Sequence, residues 1–394
     1  MIGRRRTLTG IGIGLAAAGT TAAVGVVADR LARALQMAKA LDDLDDYEEV
    51  ASREVVVLAD DGVPLHVEID EPQGIPAEMS NGQPAATVVF SHGYTLSLRS
   101  WVFQRRSLKA AGYRVVLWDA RGHGQSGAGS KESYEIDQLG HDLYSVIKAV
   151  VPRGPLILVG HSMGGMTMMA LAAHHPHLIK DRVIGAAFVA TSPGGISAVS
   201  WGLGKVLGKA VHRLGPFAVG QLAGRQSLVD SVLKAGREVE EYFVDLYSFA
   251  SPVPLSIVRL TADMIFKTRI EVISDFMETF DKHDKREALE QFIGVETLVI
   301  NGIQDMMTPP EHSEEIVKLI PGSEHVLVND AGHIIMLEHG DVVSEQLLSL
   351  IERAERAASI HFDQRNKPRV RRTITDLAKR RRLKALQGRR RSVS

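Results

Sequence analysis

Apolar residues along this chain fall into short unbroken runs separated by longer stretches of helical periodicity. "REVVVLADDGVPLHVEI" (53–69) predicts two strands folded back on each other through an Asp-Asp-Gly turn. Thr87–Phe90, Arg114–Asp119, Leu156–Val159, Val183–Ala190, Thr297–Ile300 and Glu324–Val328 each predict a further strand. Unbroken apolar runs, as opposed to alternating ones, mark strands covered on both faces. Helices fill the intervals. One spans Ser100–Ala111 and ends at Gly112; another spans Gln138–Val151 and is stopped by Pro152. Strands alternating with helices predict an α/β fold with a mostly parallel sheet between two helical layers.

One region breaks this rhythm. From about 194 to about 291 the pattern holds amphipathic helical stretches punctuated by Gly and Pro, and no strand. Such a block between two sheet strands predicts a helical insertion that caps one edge of the sheet. The ends differ as well. Residues 1–30 open with three arginines at 4–6, continue as an uncharged run from Thr7 to Ala28, long enough to span a bilayer as a helix, and close on Asp29 and Arg30. The run is rich in Gly, Ala and Thr, so a cleaved export signal competes with a retained membrane anchor, and a cytoplasmic location is the alternative to both. Residues 31–51 form an acidic helical connector, 52–360 the main domain, and 361–394 a basic tail.

A length of 394 residues with 45% hydrophobic and 24% charged residues suits one large globular domain with appendages. The absence of cysteine excludes disulfides, thiol catalysis and cysteine-ligated metals. The net charge of −1 hides a segregation. The tail carries 13 Lys and Arg against 2 acidic residues, and residues 1–360 carry 33 basic against 45 acidic. A tail of this kind suits anionic lipid or nucleic acid, or is a solvated extension.

The chemistry begins at "LVGHSMGGMTMMALAAHH" (158–175), where an apolar strand turns at once into a helix. Gly160-His161-Ser162-Met163-Gly164 fits G-x-S-x-G, and small residues on either side of Ser162 let the chain bend sharply enough to expose it. A serine hydroxyl needs a base, and the base needs a group that holds its tautomer. Asp305 follows the strand of "LVINGIQDMMTPPEHS", and His333 follows the next strand in "VLVNDAGHIIMLEH". All three residues therefore fall at the carboxyl edge of the predicted sheet, where catalytic groups of parallel sheets gather.

"SHGYTLS", "DARGHGQSG", "GHSMGG", "NGIQDMMTP" and "DAGHIIMLEH" lie in this order over about 54–356. Together they resemble the α/β-hydrolase fold enzymes, most of all the monoglyceride lipase and carboxylesterase group. The resemblance implies Ser162 as nucleophile, His333 as general base and then acid, and Asp305 as its orienting carboxylate, in the Ser–Asp–His order of that fold. It also implies an oxyanion hole from the backbone N–H groups of Met163, after the nucleophile, and Tyr94, after His92-Gly93. His92 and His161 are expected to be structural. The Asp119–Gly124 loop is expected to be a rigid turn with an internal Asp119/Arg121 contact, and Asp330 to cap a turn as a rival to Asp305. His174, His175 and His177 end a helix.

A serine at the elbow argues against the epoxide hydrolases and haloalkane dehalogenases of this fold, which use aspartate. It suits hydrolysis of carboxylic esters, with thioesterase, amidase, carbon–carbon hydrolase or cofactor-free perhydrolase chemistry as alternatives. A non-enzymatic cell-envelope protein on the same scaffold is the remaining one. Apolar stretches of the insertion, such as "SFASPVPLSIVRL", point to a small-molecule ester of apolar character. No pattern points to a metal or a cofactor, and the oligomeric state is open.

Overall fold

The computed structural model describes residues 47–74, 78–79, 82, 84–195, 248–360, 368 and 370–375. The uncharged run 7–28, the connector to residue 46, residues 196–247 of the insertion and most of the basic tail lie outside the described residues. Among the described residues, no helix is long and apolar enough to cross a membrane.

The predicted strands form one sheet: β1 (Arg53–Leu58), β2 (Pro64–Asp70), β3 (Thr87–Ser91), β4 (Val115–Trp118), β5 (Leu156–His161), β6 (Val183–Val189), β7 (Glu296–Gly302) and β8 (Glu324–Val328). A ninth strand, β9 (Val370–Ile374), completes the order β1-β2-β4-β3-β5-β6-β7-β8-β9. β1 and β2 form the expected hairpin, and β2 runs antiparallel to β4. Every other neighbouring pair is parallel.

Side chains alternate between the two faces, as the pleat demands. Val89, Val116, Leu158, Phe188 and Val299 join one core with helices α2 (Ile136–Val150) and α3 (Met163–His174). Val88, Phe90, Ile157, Val159, Leu298 and Val326 join a second core with α1 (Val102–Ala110) and the long C-terminal helix of the domain at Gly340–Ser359. Full burial of each such side chain is worth about 1.5–3 kcal/mol, which explains why these strands read as continuous apolar runs. A short helix, α4 (Pro176–Arg182), leads from α3 into β6.

The described part of the insertion is helical, as expected: α5 (Leu255–Lys267) and α6 (Ile270–Lys282). After it come α7 (Pro310–Leu319), α8 (Ile335–Glu338) and α9 (Gly340–Ser359). Val272, Phe276 and Phe280 of α6 pack into the first core, and Leu255, Val258 and Leu260 of α5 into the second.

β9 departs from the sequence expectation, which placed residues 361–394 together as a tail. Its sequence, VRRTI, lacks an apolar run and gives no strand signal of its own. Acidic neighbours hold it in place: Arg371 pairs with Glu314 at 3.0 Å, and Arg372 pairs with Glu324.

Candidate active site

Ser162 occupies the junction of β5 and α3 with φ +50° and ψ −116°, a conformation that side chains other than glycine's rarely adopt. The surroundings over-determine it. Ser162 N–H donates to Val189 O at 3.0 Å, and its carbonyl accepts from Gly165 N–H (2.9 Å), Met166 N–H (3.2 Å) and Thr191 Oγ1 (2.6 Å). The glycines make the bend sterically possible. A Cβ on Gly160 would lie 2.4 Å from Gly164 O, and one on Gly164 would lie 2.2 Å from Ser91 O.

Met163 is the first residue of α3, so its N–H is among those without an intrahelical acceptor. The loop holding Tyr94 approaches from the end of β3 and is fixed by His92. Nε2 of His92 accepts from Ala120 N–H at 2.9 Å, so Nδ1–H donates to Gly93 O at 2.7 Å. Burial lowers the pKa of His92 to about 3, which keeps the ring neutral and able to accept. Tyr94 itself reaches in the opposite direction. Its hydroxyl donates to Ile273 O in α6, and its ring meets Phe280 edge-on at 5.1 Å between centroids.

At the other end of the site, His333 Nδ1 lies 2.9 Å from Asp305 Oδ2 and 3.1 Å from Oδ1. Asp305 is held by its own loop. Oδ1 accepts from Met307 N–H and Thr308 N–H, both at 2.9 Å, and Oδ2 from Thr308 Oγ1 at 2.9 Å. With Nδ1–H directed at Asp305, Nε2 of His333 is left as the basic nitrogen. Ser162, Asp305 and His333 are all buried. The Ser162 hydroxyl has no hydrogen-bond partner among the described residues, His333 included. Bonds of this kind are commonly long without substrate and tighten in its complex.

His161 ties the two halves together. Its Nε2–H donates to His333 O at 2.9 Å, and the two rings lie 4.9 Å apart. Burial holds its pKa well below the usual histidine range, so it is neutral. Both His92 and His161 thus hold backbone in place.

Asp330 is exposed, with φ +54°, and its carbonyl accepts from His339 Nε2 at 2.7 Å. Asp305, and not Asp330, meets His333. The expected contact between Asp119 and Arg121 is not formed. The Arg121 guanidinium instead grips Asp142 of α2 at 2.6 and 2.7 Å and Asp61 at 2.7 Å. A fully buried guanidinium gains most from planar carboxylates that it meets two-pronged, and Asp142 offers that geometry. Asp119 accepts from Leu98 N–H and Gln125 N–H, both at 2.9 Å, and burial raises its pKa to about 6. At the far end of α3, His174 pairs with Asp137 at 2.7 Å and His175 stacks on Tyr144 at 3.8 Å. Among the described residues, no group of three or more His, Asp or Glu side chains has the arrangement to hold a metal ion.

One residue of the site carries no signature in the sequence. Glu338, at the end of α8, is buried with its carboxylate among three backbone donors. Oε2 accepts from Gly332 N–H at 2.6 Å, next to His333, and Oε1 accepts from Ala250 N–H (2.9 Å) and Ser251 N–H (2.5 Å). Burial raises its pKa, against the pull of those donors. A single carboxylate therefore joins the histidine loop to the insertion.

A family model for the alpha/beta hydrolase fold matches residues 86–340. Among curated proteins, the chain is similar to the dihydrolipoyllysine-residue acetyltransferase component of the acetoin cleaving system of Pseudomonas putida. Identity there is 25%, and the match covers 69% of this chain and 65% of that protein. It is 26% identical to lipase 3 of a Moraxella species, over 60% of this chain and 68% of the lipase. Among solved structures, an esterase from Exiguobacterium antarcticum superposes with a TM-score of 0.58 at 19% identity. That match covers 76% of this chain and all of the esterase. The matched region contains Tyr94, Ser162, Met163, Asp305, His333 and Glu338, and the chain belongs to the alpha/beta hydrolase fold family.

Proposed function

We propose that this hydrolase cleaves carboxylic esters of apolar, lipid-like substrates through an acyl-enzyme. The observation that carries the reading is the buried Asp305–His333 pair at 2.9 Å, on the same sheet edge as a serine held at a left-handed elbow. In this mechanism Ser162 Oγ attacks the ester carbonyl carbon while His333 Nε2 takes its proton. The carbonyl oxygen becomes an oxyanion that receives the backbone N–H groups of Met163 and Tyr94. Losing such a donor typically costs about 2.7–4 kcal/mol. Collapse breaks the carbon–oxygen bond to the alcohol, which leaves with the proton from His333. Water, deprotonated by His333, then attacks the acyl carbon; the bond from that carbon to Ser162 Oγ breaks as His333 returns the proton to Oγ, and the acid leaves. Asp305 holds Nδ1–H throughout and stabilises the imidazolium.

The apolar preference is supported by the apolar stretch 248–260 of the insertion, which meets the histidine loop where Ile334 N–H donates to Ser248 O at 3.0 Å. Attachment to a membrane through residues 7–28 belongs to the same proposal and is supported by their uncharged length.

The experiment is labelling with a fluorophosphonate, together with hydrolysis rates over aryl esters and acylglycerols of increasing chain length. Ser162 should be the labelled residue, and longer acyl chains should raise kcat/KM. Ser162→Ala should lose labelling and about 10⁴-fold or more in kcat while remaining folded. Near wild-type hydrolysis by that variant would remove Ser162 from the mechanism. Labelling without turnover of any ester would redirect the assignment to thioester, amide or carbon–carbon substrates.

A further inference from the structure

The strand β9 fixes where the basic tail leaves the domain. It runs parallel to β8, with Ile374 opposite Val328, so it ends at the same sheet edge as β7 and β8. That edge carries the Asp305 and His333 loops. The connection is direct, because Asn329 N–H, four residues before His333, donates to Ile374 O at 2.9 Å. The two arginines of β9 are already matched by Glu314 and Glu324. Further basic charge follows in the sequence: residues 375–394 hold eight Lys and Arg and one Asp. The topology therefore starts a segment of net charge +7 at the catalytic edge, on a body whose first 360 residues are net acidic.

The same edge exposes apolar side chains. Met306, beside Asp305, is 56% exposed. At the turn between α5 and α6, Phe266 is 43% exposed and Ile270 45% exposed. Thr268, between them, is buried and donates through Oγ1 to Thr95 O at 3.3 Å, so this turn rests on the loop that carries Tyr94. Lys267 and Arg269 flank the buried threonine; both are exposed and each already faces a carboxylate, Asp263 at 2.9 Å and Glu271 at 3.5 Å.

We propose that the catalytic edge is the face this protein turns toward an anionic lipid bilayer, drawn there by the tail that β9 delivers. Phosphates attract the tail, and Phe266, Ile270 and Met306 enter the interface around the mouth of the site. The combination of apolar tips with a basic segment selects a lipid surface over a nucleic acid, which offers the tips nothing to enter. The inference rests on topology and charge, and its test involves no turnover, so it stands or falls separately from the ester reading.

The experiment sediments the full chain with vesicles of phosphatidylcholine alone and of phosphatidylcholine mixed with phosphatidylglycerol, across a salt series. Any attachment through residues 7–28 contributes equally to both. Affinity for the mixed vesicles should be at least about tenfold higher and should fall with salt. The variant R380A/R381A/R382A/R389A/R390A/R391A should lose that preference. F266D/I270D should weaken binding to mixed vesicles by about tenfold, keep the salt dependence, and leave hydrolysis of a soluble aryl ester unchanged. Equal affinity for both vesicles, or a preference that survives the six substitutions, would overturn the proposal. Unaltered binding by F266D/I270D would overturn the orientation. Tail-dependent binding of an RNA oligonucleotide, without binding to mixed vesicles, would assign the tail to nucleic acid instead.

Discussion

The two halves of the candidate active site are built by different means. The serine half is made of backbone: strand β5, a left-handed Ser162 and glycines so crowded that a single added carbon would meet a carbonyl oxygen at 2.2–2.4 Å. Its parts lie within a few residues of each other, with Ser91 and Val189 on the adjoining strands. The histidine half has crowded backbone as well, a Cβ on Gly302 lying 2.2 Å from Ala331 O, but it adds contacts that close loops from a distance. Asp305 folds its own loop through Met307 and Thr308, Glu338 joins Gly332 to residues 250 and 251, and Ile374 holds Asn329. In the serine half the crowded glycines leave little room for another backbone path. The histidine half depends in addition on polar contacts to the insertion and to β9.

The largest effect should come from the contact that gives the histidine half its chemistry. Asp305→Asn keeps the size of the side chain but presents an amide to His333 Nδ1 and favours the wrong tautomer. A loss of about 10⁴-fold in kcat is expected. Asp330→Asn, three residues before the histidine and exposed, should stay within about threefold of wild type by the same principle. Steady-state rates for the pair decide the matter, and a reversed ranking would move the third catalytic role to Asp330.

The serine half should break sterically. Gly164→Ala places a methyl group 2.2 Å from Ser91 O, backbone against backbone, with no side chain free to move aside. Overpacking of this kind costs about 1–3 kcal/mol. A displacement near 1 Å at the nucleophile costs about 10²-fold in rate. A lower Tm together with slower fluorophosphonate labelling is the expected result. Labelling at the wild-type rate would mean that the elbow has more slack than its contacts allow.

In the histidine half the corresponding break is electrostatic and milder. Glu338→Gln retains one acceptor oxygen but turns an NH₂ group toward at least one backbone N–H, either that of Gly332 or those of Ala250 and Ser251. An unsatisfied buried donor costs about 1–3 kcal/mol. Part of it should appear as about a tenfold fall in kcat, with KM little changed, because the His333 loop shifts while the substrate pocket stays. Equal losses in stability for Glu338→Gln and no change in kcat would leave the residue a purely structural link.

This contrast also explains what could be read from the chain alone. The serine half is contiguous, so Gly160–Gly164 and the apolar runs around it announce both the strand–helix turn and the proposed nucleophile. The eight strands that carry the domain were legible for the same reason: their covered faces require unbroken apolar residues. β9 was not legible, because it is an edge strand secured by Arg371 and Arg372 against carboxylates more than forty residues upstream, and its basic sequence matches the tail that follows. Glu338 lies inside a motif that was noticed for its histidine. Its partners at 250 and 251 are about ninety residues away, and no spacing rule links them. The resemblance of the 119–124 loop implies an Asp119–Arg121 contact, whereas the fold offers Arg121 the carboxylates of Asp61 and Asp142.

The smallest effect tests the one place where the serine half departs from its own rule. Tyr94 belongs to that half through its backbone, yet its hydroxyl donates to Ile273 O and its ring packs on Phe276 and Phe280 of α6. The insertion therefore touches the oxyanion loop through a side chain, as it touches the histidine loop through Glu338. Tyr94→Phe removes the hydroxyl and keeps the ring, so the aromatic packing and the fold should survive. The lost bond is worth about 0.5–1.5 kcal/mol. If α6 helps to place the loop, kcat should fall about three- to fivefold, on the scale of one neutral hydrogen bond. The fall should be larger for long-chain esters, which engage the insertion, than for acetyl esters, which do not. A uniform loss across chain lengths would confine Tyr94 to the oxyanion loop itself. No loss at all would show that the backbone of the serine half needs no help from the insertion, and the division between the two halves would then be complete.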